Sequence, residues 1–155
     1  MPGGAAVGAW DQTGKLTGPT AGIVQTGIHG IYTFGSQRLW NRHPGLDSSG
    51  ASGFFQYGIN DSRTLIAHRY FGLGLTGFSL IPGRPADTIG GGLAWSWLTR
   101  SFGFRSNETI LAVYYQAKIL DGLFLQPVLS YIPNPGATPK HDPAAALTVQ
   151  TTVLF

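Results

Sequence analysis

An antiparallel all-β protein of about eight strands, built as a segment of an outer-membrane β-barrel, is what the sequence predicts, and three observations predict it. Apolar side chains alternate with polar or small ones in segments of about ten residues, the period and length of membrane-spanning strands. Charged residues are only 11% of the 155-residue chain while hydrophobic ones are 43%, so the alternation lacks the Lys and Glu that coat a solvated sheet. Aromatic residues gather toward the segment ends, at Trp10, Trp40, Trp95, Trp97, Tyr131 and Phe155, where the interface girdle of a barrel belongs.

Composition narrows the class further. A length of 155 residues suits one domain, 1–155, with no room for a second. The chain is too apolar and aromatic to be disordered. Its formal charge is +3, and its ten Lys and Arg are scattered with no run of three, so no stripe tracks a nucleic acid. Cysteine is absent, which excludes a disulfide scaffold, a thiolate metal site and a thiol nucleophile. No stretch reaches the roughly 18 apolar residues of a membrane helix. Met1-Pro2-Gly3-Gly4 has neither region of a signal peptide, so an exported form is expected to carry further residues in front.

The expected strands follow in order. A short one covers 4–12, and 27–40 and 50–59 alternate less cleanly. The phase of 27–40 is ambiguous, because Gly35 is a candidate bulge that would flip it. In 66–79, Phe71, Leu73 and Leu75 oppose Gly72, Gly74 and Thr76. After the Pro/Gly turn 81–86, strand 87–99 sets Ile89, Gly91, Leu93, Trp95 and Trp97 against Gly90, Gly92, Ala94, Ser96 and Leu98. In 107–119, Thr109, Leu111, Val113 and Tyr115 oppose Glu108, Tyr114, Gln116 and Lys118. The hairpin joint 120–122 leads into 122–132, where Leu125, Leu129 and Tyr131 oppose Gln126 and Ser130. Pro127 removes a ladder hydrogen bond there and calls for an edge position or a local irregularity. The last strand sets Leu147, Val149, Thr151, Val153 and Phe155 against Thr148, Gln150 and Thr152.

Long connections at 13–26 and 132–144 should face outside and tight ones at 81–86 and 120–122 the periplasm, although 41–49 is long for a periplasmic turn. A soluble β-sandwich also alternates, and a small closed eight-stranded barrel remains open as well, although inward Gly72, Gly74, Gly90 and Gly92 would fill its interior poorly.

The segments IPGRPADTIGGGLAWSWL (81–98) and NETILAVYYQAKILDGLFLQPVLSYIPNPG (107–136), followed by a terminal strand ending in Phe155, resemble the carbohydrate-selective porins of the OprB type. VGAWDQTG (7–14) and Leu39-Trp40 resemble upstream family segments more loosely. The resemblance implies the C-terminal half of a barrel of about sixteen strands, passing mono- or oligosaccharides by diffusion across the bacterial outer membrane, without enzymatic chemistry or cofactor. It also implies partners: outer-membrane lipid, the barrel-assembly machinery, and either a missing N-terminal half or a second copy, since open sheet edges are costly in lipid.

On that resemblance the inward faces line the pore, with Glu108, Tyr114, Gln116, Lys118, Gln126, Ser130, Thr148, Gln150 and Thr152 as candidates to exchange hydrogen bonds with sugar hydroxyls. Aromatic faces would meet the sugar rings' C–H surfaces. Glu108 and Lys118 are separated by about 33 Å along a strand and belong near opposite rims. The family's usual acidic residues are replaced by Ala112 and Val128, and a basic one by Gln116, which thins the charged lattice. Phe155 resembles the terminal aromatic that the assembly machinery reads. His29, His43, His68 and His141 show no metal-ligand spacing. Glycines 90–92 precede no phosphate-binding Lys-Ser/Thr, and no Gly-x-Ser-x-Gly elbow supports a hydrolase.

Overall fold

The computed structural model describes residues 3–19, 22–99, 103–136 and 141–155. They form eight strands: β1 (Gly3–Thr17), β2 (Val24–Asn41), β3 (Gly50–Asn60), β4 (Ala67–Phe78), β5 (Thr88–Leu98), β6 (Asn107–Leu120), β7 (Leu123–Ile132) and β8 (Ala144–Val153). Each pairs antiparallel with its sequence neighbour in one sheet ordered β1 to β8. Among the described residues β1 and β8 do not touch, so the sheet is open. It is neither a closed eight-stranded barrel nor a two-sheet sandwich.

Register decides the faces, because directly opposed residues point the same way. One row runs through all eight strands as Ala5, Gly35, Phe55, Leu73, Leu93, Leu111, Tyr131 and Ala145. The next row but one on that side holds Thr33, Tyr57, Phe71, Trp95 and Thr109. We call this the apolar face. The opposite, polar face carries Gly4, Ser36, Phe54, Gly74, Gly92, Ala112, Ser130 and Ala146 in one row.

No second layer covers either face. The buried hydrophobic residues are Ile28, Leu98 and Ala117 alone among those described. On interior strands, Leu75 is 55% exposed, Val113 57% and Leu129 53%. At roughly 25 cal/mol per Å² of apolar surface, leaving this side bare in water is costly.

Two expectations need correction. The segment 13–26 is mostly strand: β1 runs to Thr17 and β2 starts at Val24, with an irregularity between Gln12 and Lys15 where Gly14 takes φ of 103°. Gly35 sits in unbroken register. The bulge of β2 lies instead between Arg38 and Trp40, so the phase of 30–38 is undisturbed and Tyr32, Phe34 and Ser36 share the polar face. The connection 42–49 is long because it is folded. Arg38 donates to Asn41 Oδ1 at 2.8 Å and to the Ser48 carbonyl, and Ser49 N–H to Asp47 Oδ1 at 2.8 Å. Pro127 marks the local irregularity it should: the β7–β8 ladder passes through it, while the β6–β7 pairing is interrupted opposite it, between Tyr114 and Ala117.

The connections 42–49, 79–87 and 121–122 lie at one end of the sheet, and 61–66 with the described parts of 18–23, 99–106 and 133–143 at the other. At the first end the turn 79–87 is locked to β6 through Asp87, whose side chain is 2% exposed. Its carboxylate accepts from Arg84 Nε at 2.6 Å, from the Lys118 backbone N–H at 3.0 Å and from the Tyr115 hydroxyl. Burial works to raise the Asp87 pKa, but the hydrogen bonds from Tyr115, Arg84 and Lys118 outweigh it and hold the carboxyl below the usual range.

Candidate functional site

The polar face is paved by aromatic rings lying over glycines. A Cβ on Gly74 would come within 2.6 Å of the Phe54 ring, and one on Gly90 within 2.5 Å of the Tyr114 ring. Tyr32 covers Gly8 and Trp10 covers Gly30 in the same way, and the Tyr70 hydroxyl lies over Gly72 of its own strand. A ring can lie flat against the neighbouring strand only where that strand has no side chain. Gly74 and Gly90 are therefore not open gaps in the wall but seats for Phe54 and Tyr114. Tyr114 extends past Gly90 of β5 and its hydroxyl meets Thr76 Oγ1 on β4 at 2.7 Å.

Toward β8 the aromatic paving gives way to amides. Gln116 Nε2 donates to Gln126 Oε1 at 3.2 Å, and Gln126 Nε2 to Gln150 Oε1 at 3.4 Å, forming a ladder across β6, β7 and β8. Ser130, Thr148 and Thr152 lie on the same face, opposite Ala146, Val128 and Phe124. Polar side chains are thus contiguous on this face from Thr76 through Tyr114, Gln116 and Gln126 to Gln150.

Glu108 and Lys118 lie at opposite ends of β6 and each has a local partner. Glu108 Oε2 accepts the Gly136 backbone N–H at 2.6 Å, while Arg105 N–H donates to the Gly136 carbonyl at 3.1 Å. These bonds draw the connection after β7 against the polar side of β5 and β6. Lys118 Nζ pairs with Asp121 Oδ1 at 2.5 Å in the 121–122 turn, and its ammonium lowers the exposed Asp121 pKa.

Of the aromatics expected in an interface girdle, Trp10 is misassigned. It opposes Gly30, which opposes Asn60, so it shares the polar face with Tyr32. The short expected strand 4–12 hid its phase. Trp95, Trp97 and Tyr131 lie on the apolar face toward the 61–66 end, and Trp40, opposite Ala51, lies on it at the other end. Phe155 follows β8 and is fully exposed.

Sequence reasoning did not single out Tyr32, Phe34, Phe54, Gln56 and Tyr70. Tyr32 and Phe34 stack with centroids 6.2 Å apart, and together with Gln56 and Tyr70 they line a shallow depression on the polar face. A signal was present: aromatics two residues apart in one strand, facing alternating glycines in its neighbours. Among the described residues no group of His, Asp and Glu could hold a metal ion, and no helix is long and apolar enough to cross a membrane, which leaves strands free to do so.

The family described as "Carbohydrate-selective porin, OprB family" matches residues 9–155. The chain belongs to that family. Two solved structures of Pseudomonas putida OprB share its fold. The high-pH structure superposes with a TM-score of 0.81 at 20% identity, covering 98% of this chain and 44% of that one. The low-pH structure gives 0.64 at 20% identity, covering 97% of this chain and 47% of that one. The chain therefore spans less than half the length of these porins. No curated protein sequence matches it significantly. OprB-family membership implies the bacterial outer membrane.

Proposed function

We propose that the eight strands form part of the wall of a passive sugar channel, the polar face lining the lumen and the apolar face meeting outer-membrane lipid. The observation that carries this reading is the contrast between the two faces: exposed hydrocarbon dominates the middle of one, while the other is a continuous array of hydroxyls, amides and flat rings. Neutral polyols need donors and acceptors that replace water, with binding weak enough for release. The glutamine ladder and the Thr76–Tyr114 pair supply such groups, and the ring faces of Tyr32, Phe34 and Phe54 suit the C–H surface of a pyranose.

The edges of β1 and β8 have no partners among the described residues, and unpaired amides in hydrocarbon cost several kcal/mol each. Closure takes strands from outside these 155 residues, either from the remainder of a longer protein or from a second copy. The barrel-assembly machinery would insert the closed form. The 121–122 turn faces the periplasm and the 61–66 and 133–143 connections face outside, following the usual split between tight turns and long loops.

Single-channel recording in a planar bilayer, with and without added sugars, tests the reading. Discrete steps that sugars reduce are expected. A folded, inserted protein that passes no current would overturn it.

A further inference from the structure

We propose that the 61–66 end of the apolar face carries a docking site for the phosphorylated headgroup of a glycolipid in the outer leaflet. This rests on the reading that the apolar face meets lipid and that this end faces outside.

The apolar face changes character there in two steps. First comes an aromatic patch on neighbouring strands: Tyr57, Phe71 and Trp95 are successive register partners on β3, β4 and β5. Trp95 stacks on Trp97 with centroids 4.9 Å apart and planes 9° apart. Such rings settle at the headgroup level of a bilayer. Immediately beyond them the residues become cationic. Arg69, the register partner of both Ile59 and Trp97, holds its guanidinium 5.5 Å above the Trp97 ring.

Arg63 and His68 then join Trp97, Ser106 and Asn107 around a depression of about 500 Å³ between the 61–66 connection and the start of β6. His68 is turned out of the regular ladder by the irregularity between Ala67 and Arg69. Neither Arg63 nor Arg69 has an acidic partner among the described residues. One unneutralised guanidinium over the Trp97 indole and a second on the depression that the same indole lines, at the hydrocarbon boundary, match an anion presented on a sugar at that depth. Guanidinium binds phosphate in bidentate fashion, the amide and hydroxyl of Asn107 and Ser106 suit the sugar, and the aromatic patch packs on the acyl chains below.

The test uses the full chain reconstituted in zwitterionic nanodiscs, doped with either bis-phosphorylated or fully dephosphorylated lipid A, with tryptophan fluorescence as the readout. Saturable binding of the phosphorylated form is expected to be at least about tenfold tighter, as two surface cations predict. Arg63→Gln with Arg69→Gln should abolish that preference, whereas Arg42→Gln, at the opposite end, should retain it. Equal binding of both lipids would overturn the proposal, as would full displacement by millimolar inorganic phosphate, which would mark a site for a free anion. Brominated acyl chains report insertion separately. Quenching without phosphate selectivity defeats only the headgroup site, whereas absence of quenching defeats the lipid-facing reading as well.

Discussion

The hydroxyl of Tyr114 on β6 meets Thr76 Oγ1 on β4 at 2.7 Å, reaching across an entire strand because Gly90 lies between them. The contact joins three strands on the polar face without a packed core. It is the pattern by which this sheet, which buries almost nothing, holds its wall in a defined shape.

This arrangement predicts a coupled response. Tyr114→Phe should cost about 1 kcal/mol, the net worth of one hydrogen bond. Gly90→Ala should cost about 1–3 kcal/mol, because the new methyl would displace the ring. In a Tyr114→Ala background the Gly90→Ala cost should largely vanish. Thermal unfolding of the refolded chain in detergent measures all four corners of the cycle, and additive costs would contradict the contact.

The Asp87 turn predicts acid sensitivity. Its folded pKa is depressed below the ordinary 3.8, so its contribution is complete above that value and is lost as pH falls through the folded pKa. Stability of the wild-type chain should therefore decline below about pH 4. Asp87→Asn should lower stability by about 1–3 kcal/mol at neutral pH and flatten the acid decline, as read from denaturant midpoints at stepped pH.

Glu108 is expected to act on the connection after β7 more than on permeating sugar. Glu108→Gln weakens the acceptor for the Gly136 N–H, a charge-assisted bond worth roughly 1.5–3 kcal/mol. Faster hydrogen exchange at Gly136 and earlier proteolytic cleavage within 133–143 should follow, with strand amides unchanged.

Interrupting the glutamine ladder should weaken sugar binding in the assembled channel. Gln126→Leu removes the central amide that joins Gln116 to Gln150, and losing about 1 kcal/mol of hydrogen bonding corresponds to roughly fivefold weaker block of current by sugar. Thermal stability should change little, since these amides are open to water on the lumen side.

The number of strands, their antiparallel order and the faces of β4 to β8 were legible in the chain, because a two-residue period reports side-chain direction without knowledge of any partner. Hence the alternation alone groups Gln116, Gln126, Gln150 and Thr148 on one face. Where the period is diluted by glycine the reading weakened. The pattern leaves the face of Trp10 unmarked and ends the strands flanking 18–23 too early, because the many glycines of β1 and β2 and the alanines of β1 carry no polarity with which to mark a side.

Other features depend on relations between strands that no local pattern encodes. That an aromatic rests on a glycine in its neighbour follows from register, which is set by pairing over dozens of residues. That Glu108 and Asp87 serve backbone N–H groups of distant segments follows from where those segments are carried by the sheet. Local alternation thus decides what each strand presents to lipid and to water. The pairing of strands decides which of those groups meet, because an eight-stranded sheet without a core is held by its cross-strand neighbours alone.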